Sequence, residues 1–247
     1  FTWTQEPWGS ALRCTHLPAP HLVTSRDLTL RYDEREWRGA AGSLGVARER
    51  LLLVKQVHGA GVIIARRGAA AGWGRPEADA IITDDPDVAI GVLVADCAPV
   101  LIYDPVRHVA AAIHAGWRGT AANASGSAVA ALVRELGSNP ADLVAAIGPC
   151  LGACCGEVGP DVVEAFGAGG ADQTALAAWF TAGTGDRSFL DLERANRDQL
   201  TAAGLDPARV FTSSLCTKTH VARLHSYRAD RTAAGRLLGA IRLNKPV

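Results

Sequence analysis

The 247 residues carry 25 basic and 25 acidic side chains, so the formal net charge is zero. This balance gives no general attraction to nucleic acid or to an anionic membrane, and we expect neither as a partner. Hydrophobic residues make up 48% of the chain and charged residues 20%, which excludes extensive disorder and provides a sizeable core.

The first quarter of the chain predicts strands separated by a surface segment. Residues 21–32 partly alternate between polar and apolar and predict a strand or hairpin arm. The charged, glycine-containing residues 33–50 predict a surface connection with a short helix near its end. Residues 51–57 and 61–65 predict two strands joined by a tight turn at His58.

A dense group of short apolar runs follows. Their near-continuous hydrophobicity is typical of strands that are covered on both faces. The four predicted strands are residues 78–84, 89–95, 99–104 and 108–115.

The second half of the chain alternates helices and strands. Helices are predicted at 122–137, ending at Gly137, at 159–167, beginning with Pro160, and at 191–204, capped by Asp191. The Gly- and Ala-rich stretch 167–185 is predicted to be mobile. The remaining predicted strands are 143–148, 210–214 and 237–243. Together the elements predict one mixed α/β (α+β) domain over residues 1–247, with mixed β-sheets and helices packed on the outside.

Six cysteines occur, and no pair has the CxxC spacing of a structural zinc knuckle. No basic segment followed by an apolar run indicates a signal peptide, and no apolar run approaches the length of a membrane span. We therefore expect reduced thiols and a cytoplasmic location.

Three predicted strand ends carry residue types that bind metals. They hold His58 in QVHG, Cys97 in ADCAP and His114 in HAGWRG. Two imidazoles and one thiolate satisfy three corners of a zinc tetrahedron and leave the fourth for water or substrate. Spacing alone does not bring these segments together, and a single His or Cys at a strand end is more often packed than ligating.

Five motifs in order resemble the laccase-domain family, also described as multifunctional purine nucleoside phosphorylases and peptidoglycan editing factors. The motifs, which span roughly residues 50 to 243, are KQVHGAGV (55–62), ADAIITD…VLVADCAPVLIYD (78–104), IHAGWRGTAAN (113–123), IGPCLGACCGEVG (147–159) and LHSYRADRTAAGR (224–236). In that family the His of QVHG, the Cys of ADC and the first His of HAGWRG bind zinc. The resemblance therefore implies a zinc site at His58, Cys97 and His114.

The resemblance also implies a reaction class. It implies phosphorolysis of purine nucleosides and methylthioadenosine, hydrolytic deamination of adenosine, and a role in editing peptidoglycan precursors. The implied partners are small molecules, a purine nucleoside and phosphate. An open zinc position suits the deamination directly, because zinc activates water for attack on C6 of adenine.

Five further residues are candidates for the site. Asp96 is a candidate catalytic or ligand-orienting carboxylate, with a turn carboxylate that accepts backbone N–H bonds as the equal alternative. Arg118, in a Gly-flanked turn before a helix, and Arg26 are candidate phosphate or anion contacts. Glu157 is a candidate for protonating the purine or binding the ribose, and Gln56 for binding substrate. Around Arg26 the sequence lacks the glycine pair that many family members carry.

Three other functions fit parts of the same pattern. A thiol hydrolase would use Cys97 as nucleophile and His114 as base and would not need His58. A copper polyphenol oxidase needs many imidazoles, often as His-x-His pairs, and commonly an axial Met; this chain has seven His, no such pair and no Met, so copper is the less favoured metal. A non-enzymatic scaffold in cell-wall synthesis is the third alternative. It is less favoured, because a pure scaffold does not need a metal site with an open position.

Overall fold

The structure is a computed structural model that describes residues 1–245. Within this range the chain forms fifteen strands, seven α-helices and four single-turn 3₁₀-helices. The strands are β1 (Thr2–Glu6), β2 (Gly9–Arg13), β3 (His21–Thr24), β4 (Leu51–Leu53), β5 (Val62–Ala65), β6 (Ala80–Thr83), β7 (Ala89–Val94), β8 (Ala98–Asp104), β9 (Val109–Ala115), β10 (Val144–Ile147), β11 (Glu157–Val158), β12 (Phe180–Ala182), β13 (Ser188–Leu190), β14 (Val210–Thr212) and β15 (Leu237–Arg242). The α-helices are α1 (Glu34–Gly42), α2 (Trp117–Ala121), α3 (Ala124–Leu136), α4 (Pro160–Ala168), α5 (Gln173–Trp179), α6 (Leu192–Ala202) and α7 (Tyr227–Asp230). The 3₁₀-helices are Arg48–Arg50, Pro140–Asp142, Pro207–Arg209 and Arg231–Ala233.

Two six-stranded mixed sheets form the centre of the molecule. The first has the strand order β1-β2-β3-β15-β7-β4 and the second β14-β10-β8-β9-β6-β5. Three neighbouring pairs are parallel, β4 with β7, β5 with β6 and β10 with β14, and the others are antiparallel. A small antiparallel sheet, β11-β13-β12, lies apart from both.

Alternation of apolar side chains along the strands explains the stacking of these sheets. Leu52 of β4 packs in the core between the two sheets, together with Leu101 of β8. Its neighbours Leu51 and Leu53 point the other way and pack with Trp37 of α1. Helices α2 to α6 cover the outer face of the second sheet. The protein is therefore a single mixed α/β domain, as the sequence predicts, and its helices and sheets form four layers.

The central strands and the longer helices agree with the sequence predictions. All four strands of the middle group form. Helix α3 ends at Gly137, which adopts the left-handed conformation with φ 66°. Helix α6 begins where Asp191 accepts a hydrogen bond from the amide of Arg194.

Three local predictions are wrong and one is incomplete. Residues 51–57 and 61–65 do not form a hairpin, because β4 and β5 belong to different sheets. The segment 33–50 has the predicted short helix near its end, as the 3₁₀-helix Arg48–Arg50, but the longer helix α1 at its beginning, capped by Asp33, was not predicted. The strand in 21–32 ends at Thr24. The stretch 167–185, predicted to be mobile, forms α5 and β12, and Trp179 anchors it in the core.

Across residues 1–245, no helix combines the length and the apolar character that a membrane crossing requires.

Candidate metal centre

The three predicted ligands lie where the chain crosses between the two large sheets. Cys97 occupies the connection from β7 in the first sheet to β8 in the second, and His58 follows β4, the parallel neighbour of β7. The β8–β9 register pairs Pro99 with His114, which places the Cys97 end of β8 beside His114. The side chains of His58, Cys97 and His114 line a pocket of about 780 Å³.

The geometry of this cluster fits a tetrahedral metal with one open position. The ligand atoms of His58, Cys97 and His114 all lie within 4.8 Å of one another. The two imidazole rings meet edge to face, with centroids 4.8 Å apart and an interplanar angle of 80°. Two imidazole nitrogens and a thiolate sulfur form a donor set that zinc prefers, and only three protein ligands leave room for a small molecule.

Asp79 orients two of the ligands, His114 and His58, and the sequence analysis did not identify it. Its carboxylate is fully buried and accepts a 2.8 Å hydrogen bond from Nδ1 of His114, so that Nε2 is left to face the cluster. It also accepts hydrogen bonds from the amides of Val57, His58 and Gly59 at 3.3, 2.9 and 2.6 Å. These bonds hold the turn in which His58 has the unusual φ of 61°. The position of Asp79 in the ADAIITD motif was the available signal.

Gly116 is a second residue that the sequence analysis missed. A Cβ at this position would lie 2.7 Å from Sγ of Cys97 and 3.5 Å from Cδ2 of His58. Only glycine lets the β9–α2 turn pass this close to the cluster.

Ionisation in the cluster is strongly coupled. Burial raises the pKa of Cys97, but hydrogen bonds and charge from His114 and His58 lower it more, to about 7. Burial lowers the pKa of His114, but Asp79 and then Cys97 raise it more, to about 9. Near neutral pH the arrangement therefore favours a thiolate beside an imidazolium when no metal displaces the proton. Both a metal site and a thiol nucleophile are chemically consistent with it.

Asp96 and Gln56 lie at the pocket but use their polar atoms within the protein. Asp96 accepts hydrogen bonds from the hydroxyls of Thr217 at 2.6 Å and Ser226 at 2.7 Å, and from the amide of Arg228 at 2.6 Å. Gln56 both donates to and accepts from the backbone of Leu93. The geometry favours the turn-carboxylate interpretation of Asp96 and gives Gln56 a positioning role.

Arg118, by contrast, presents an available guanidinium. It lines the pocket and stacks 4.1 Å above the ring centre of Trp117. Together with Arg75 and Arg231 it is exposed, and no carboxylate of residues 1–245 lies within ion-pairing distance of these three guanidinium groups. Arg228 and Arg236 add further positive charge to the pocket wall, whereas Lys55 is paired with Glu77 at 2.9 Å.

Arg26 and Glu157 are directed elsewhere. Arg26 pairs with Asp230 at 2.6 Å and does not line the pocket. The carboxylate of Glu157 pairs with Arg187 at 3.0 Å, while its chain neighbours Gly156 and Val158 line the pocket. Their predicted substrate contacts have no support in this geometry, because each side chain already has an ionic partner outside the pocket.

Comparisons with known proteins agree with the fold and the motifs. A purine nucleoside phosphorylase of Streptomyces coelicolor, SCO2081, is 40% identical over 209 residues, covering 83% of this chain and 80% of that protein. A protein from an unknown prokaryotic organism, named adenosine deaminase RL5, is 33% identical over 207 residues, covering 81% and 78%. The crystal structure of YlmD from Geobacillus stearothermophilus superposes with a TM-score of 0.86 at 27% identity, covering 98% of this chain and 99% of that one.

One protein family matches most of the chain. The family described as multi-copper polyphenol oxidoreductase laccase matches residues 33–244, which include the three clustered ligands, Asp79 and the pocket arginines. The chain therefore belongs to this laccase-like family.

Proposed function

We propose that the protein is a zinc-dependent purine nucleoside phosphorylase that also cleaves methylthioadenosine and deaminates adenosine. The observation that carries this proposal is the convergence of His58, Cys97 and His114 at the base of a cationic pocket. The names of the relatives, which include purine nucleoside phosphorylases and an adenosine deaminase, support the same reaction classes.

The pocket offers cationic and aromatic side chains for the two substrates of phosphorolysis. Arg118, Arg231 and Arg75 provide positive charge for phosphate, whose oxygen forms the new bond to C1′ as the C1′–N9 bond breaks. Trp117 and the 48% exposed Tyr227 provide aromatic faces for a purine. The departing purine anion takes its proton from solvent, because a zinc-bound His114 is neutral and Asp79 holds its remaining N–H.

A zinc ion held by the three ligands would act as a Lewis acid at the open position. Asp79 keeps His114 in the tautomer that such an ion requires. The pocket of about 780 Å³ also leaves room for a larger nucleotide-linked substrate, which a role in editing peptidoglycan precursors would require.

Product analysis tests the proposal. Adenosine, inosine, guanosine and methylthioadenosine are incubated with and without phosphate, and free base, sugar phosphate and inosine are separated by chromatography. We expect phosphate-dependent base release, lost in His58→Ala. Arg118→Ala should raise the KM for phosphate about tenfold or more, whereas Arg134→Ala, an exposed arginine of α3 paired with Glu135, should not. No phosphate-dependent release from any of the four nucleosides would refute the phosphorylase assignment.

A thiol hydrolase is the second candidate, because Cys97, His114 and Asp79 form a nucleophile–base–carboxylate series. A free thiolate reacts rapidly with iodoacetamide, whereas a metal-bound one is shielded until the metal leaves. We expect slow alkylation of Cys97 that a strong chelator accelerates. Rapid alkylation of the untreated protein, together with an active His58→Ala variant, would favour the hydrolase. Multicopper oxidase chemistry has less support, because this cluster contains only two of the seven histidines.

A further inference from the structure

A second group of possible metal ligands lies outside the His58–Cys97–His114 cluster. The sulfur atoms of Cys154, Cys155 and Cys216 all lie within 4.8 Å of one another. All three are free thiols, and the 3.7 Å between the sulfurs of Cys154 and Cys155 is far longer than a disulfide bond of about 2.05 Å. Three convergent thiols from two distant parts of the chain form a defined ligand set.

The backbone around these thiols is well tied together. The amide of Thr217 donates to the carbonyl of Cys150 at 2.9 Å, and the amide of Cys150 donates to the carbonyl of Leu215 at 3.3 Å. The amide of Cys155 donates to the carbonyl of Gly152 at 3.0 Å, which closes the turn that presents both neighbouring cysteines. The backbone therefore holds the two segments that carry the three cysteines next to each other.

We propose that Cys154, Cys155 and Cys216 form a second metal site, a three-thiolate site for a thiophilic d¹⁰ ion, Cu(I) or Zn(II). With metal–sulfur bonds of about 2.3 Å, three sulfurs around one ion are separated by about 4 Å, which small rotations of the side chains achieve from the present spacing. Thiolate sulfurs select these soft ions over Mg²⁺ or Ca²⁺.

The surroundings provide an entry path for an ion. Burial raises the pKa of Cys216, but amides at Gly152, Thr219 and Lys218 donate hydrogen bonds to it and lower the pKa overall. Desolvation and the neighbouring thiols of Cys216 and Cys155 raise the pKa of Cys154 to about 12, so a metal ion has to displace the proton of this thiol. Cys154 is exposed, so an ion reaches the sulfurs from solvent. Cys150, by contrast, is buried in the apolar core beneath, where burial raises its pKa and keeps it a thiol.

This site shares a wall with the pocket. Thr217, the neighbour of Cys216, donates a hydrogen bond to Asp96, and the amide of Leu151 donates to the carbonyl of Asp96 at 2.8 Å. Asp96 in turn precedes Cys97. Ligation of the three thiols therefore stiffens the two segments that hold this side of the pocket.

Metal titration of the reduced full-length protein tests the proposal. The Cys97→Ala variant removes the thiolate of the first cluster, so that binding by the second is measured separately. Its metal-free form is titrated anaerobically with Cu(I) and, in a second series, with Zn(II), each against a chromophoric competitor. We expect one equivalent of Cu(I) or Zn(II) and thiolate-to-metal absorption in the Cu(I) series. Cys97→Ala/Cys154→Ser/Cys155→Ser should bind more than about 100-fold more weakly.

The control is Cys97→Ala/Cys14→Ala, which removes a buried cysteine of the core between the two large sheets and should bind as Cys97→Ala does. Circular dichroism checks that every variant is folded. Binding of neither ion by folded Cys97→Ala, or equal binding after loss of Cys154 and Cys155, would overturn the proposal. Neither result bears on the nucleoside reaction, which uses different residues.

Discussion

Replacement of Asp79 is the most direct test of the His58–Cys97–His114 cluster, here called the first cluster. Asp79→Asn keeps the size of the side chain but removes the charge that fixes the tautomer of His114 and the turn at His58. We expect zinc affinity to fall about 10- to 100-fold, because outer-shell carboxylates tune ligands to this extent. Competition with a chromophoric chelator measures it. Asp104→Asn is the matched control: Asp104 is equally buried and accepts two amide hydrogen bonds, but lies at the far end of β8. An equal loss of affinity in both variants would contradict the assignment.

Gly116 tests the packing of the same cluster. In Gly116→Ala the new methyl group would lie 2.7 Å from the sulfur of Cys97, so the turn or the thiol must move. We expect at least about tenfold weaker zinc binding, since misplacement of one ligand weakens the whole set. Gly42→Ala, at the end of α1 where nothing lies within 4 Å, should leave zinc binding unchanged and stabilise the protein slightly, by up to about 1 kcal/mol. Unchanged zinc affinity in Gly116→Ala would show that the close approach is not needed.

At the scale of elements, substitution of Asp96 tests whether its carboxylate acts in catalysis or instead holds helix α7 in place. It accepts hydrogen bonds from Ser226, at the start of α7, and from Arg228 within it, and this segment carries the pocket cations Arg228 and Arg231. Asp96→Ala should therefore raise the KM for phosphate several-fold, leave zinc content intact and change kcat little. Asp96→Asn should restore much of the lost affinity, because an amide oxygen still accepts the Arg228 bond. A proton-transferring Asp96 would instead lose kcat equally in both variants.

Elements with strong local signals could be predicted from the sequence, and those set by distant pairing could not. Helices α3 and α6 carry their own stop and start signals at Gly137 and Asp191. The β4–β5 prediction was wrong because both faces of β4 are covered, so its apolar run contains no information about its partner. The β1–β2 hairpin and the small β11-β13-β12 sheet went unrecognised, since their strands are short and only half-buried.

The same limit applies to the first cluster. The sequence supplied the residue types of His58, Cys97 and His114, and the resemblance supplied their grouping. Asp79 had only its position in the ADAIITD motif as a signal, and the β6–β9 register was needed to place it beside His114. Gly116 went unrecognised because its role is purely steric. Arg26 and Glu157 were assigned to substrate from their residue types and their positions relative to the family motifs, and their ionic partners Asp230 and Arg187 were not recognisable without the fold.

For the molecule as a whole, two buried histidines predict a loss of stability in acid. His21 donates from Nδ1 to the carbonyl of Ala19 at 2.7 Å and accepts at Nε2 from the amide of Cys14 at 2.8 Å. His225 donates from Nε2 to Leu28 and accepts at Nδ1 from the amide of Gly235. Each ring is thus held in a neutral tautomer with no acceptor for a second proton. Burial is the main cause that lowers both pKa values below 6.5.

The sign of the pH effect follows from these pKa shifts. Below pH 6.5 the unfolded chain takes up protons on His21 and His225, whereas the folded protein does not until the pH reaches their lowered pKa values. The stabilisation is therefore complete above about pH 6.5 and is lost as the pH falls, by up to about 1.4 kcal/mol per pH unit for each histidine.

Urea unfolding of the wild type and of His21→Gln measures how the free energy of unfolding changes with pH. The measurements run between about pH 7.5 and about pH 5, which brackets the ordinary histidine pKa of about 6.5. We expect His21→Gln to be less stable at neutral pH but to lose less stability on acidification, since one protonation step is gone. Because other acid-sensitive groups, the first cluster included, are the same in both proteins, the difference between the two curves isolates His21. Parallel curves would show that His21 takes up its proton equally in the folded and unfolded states.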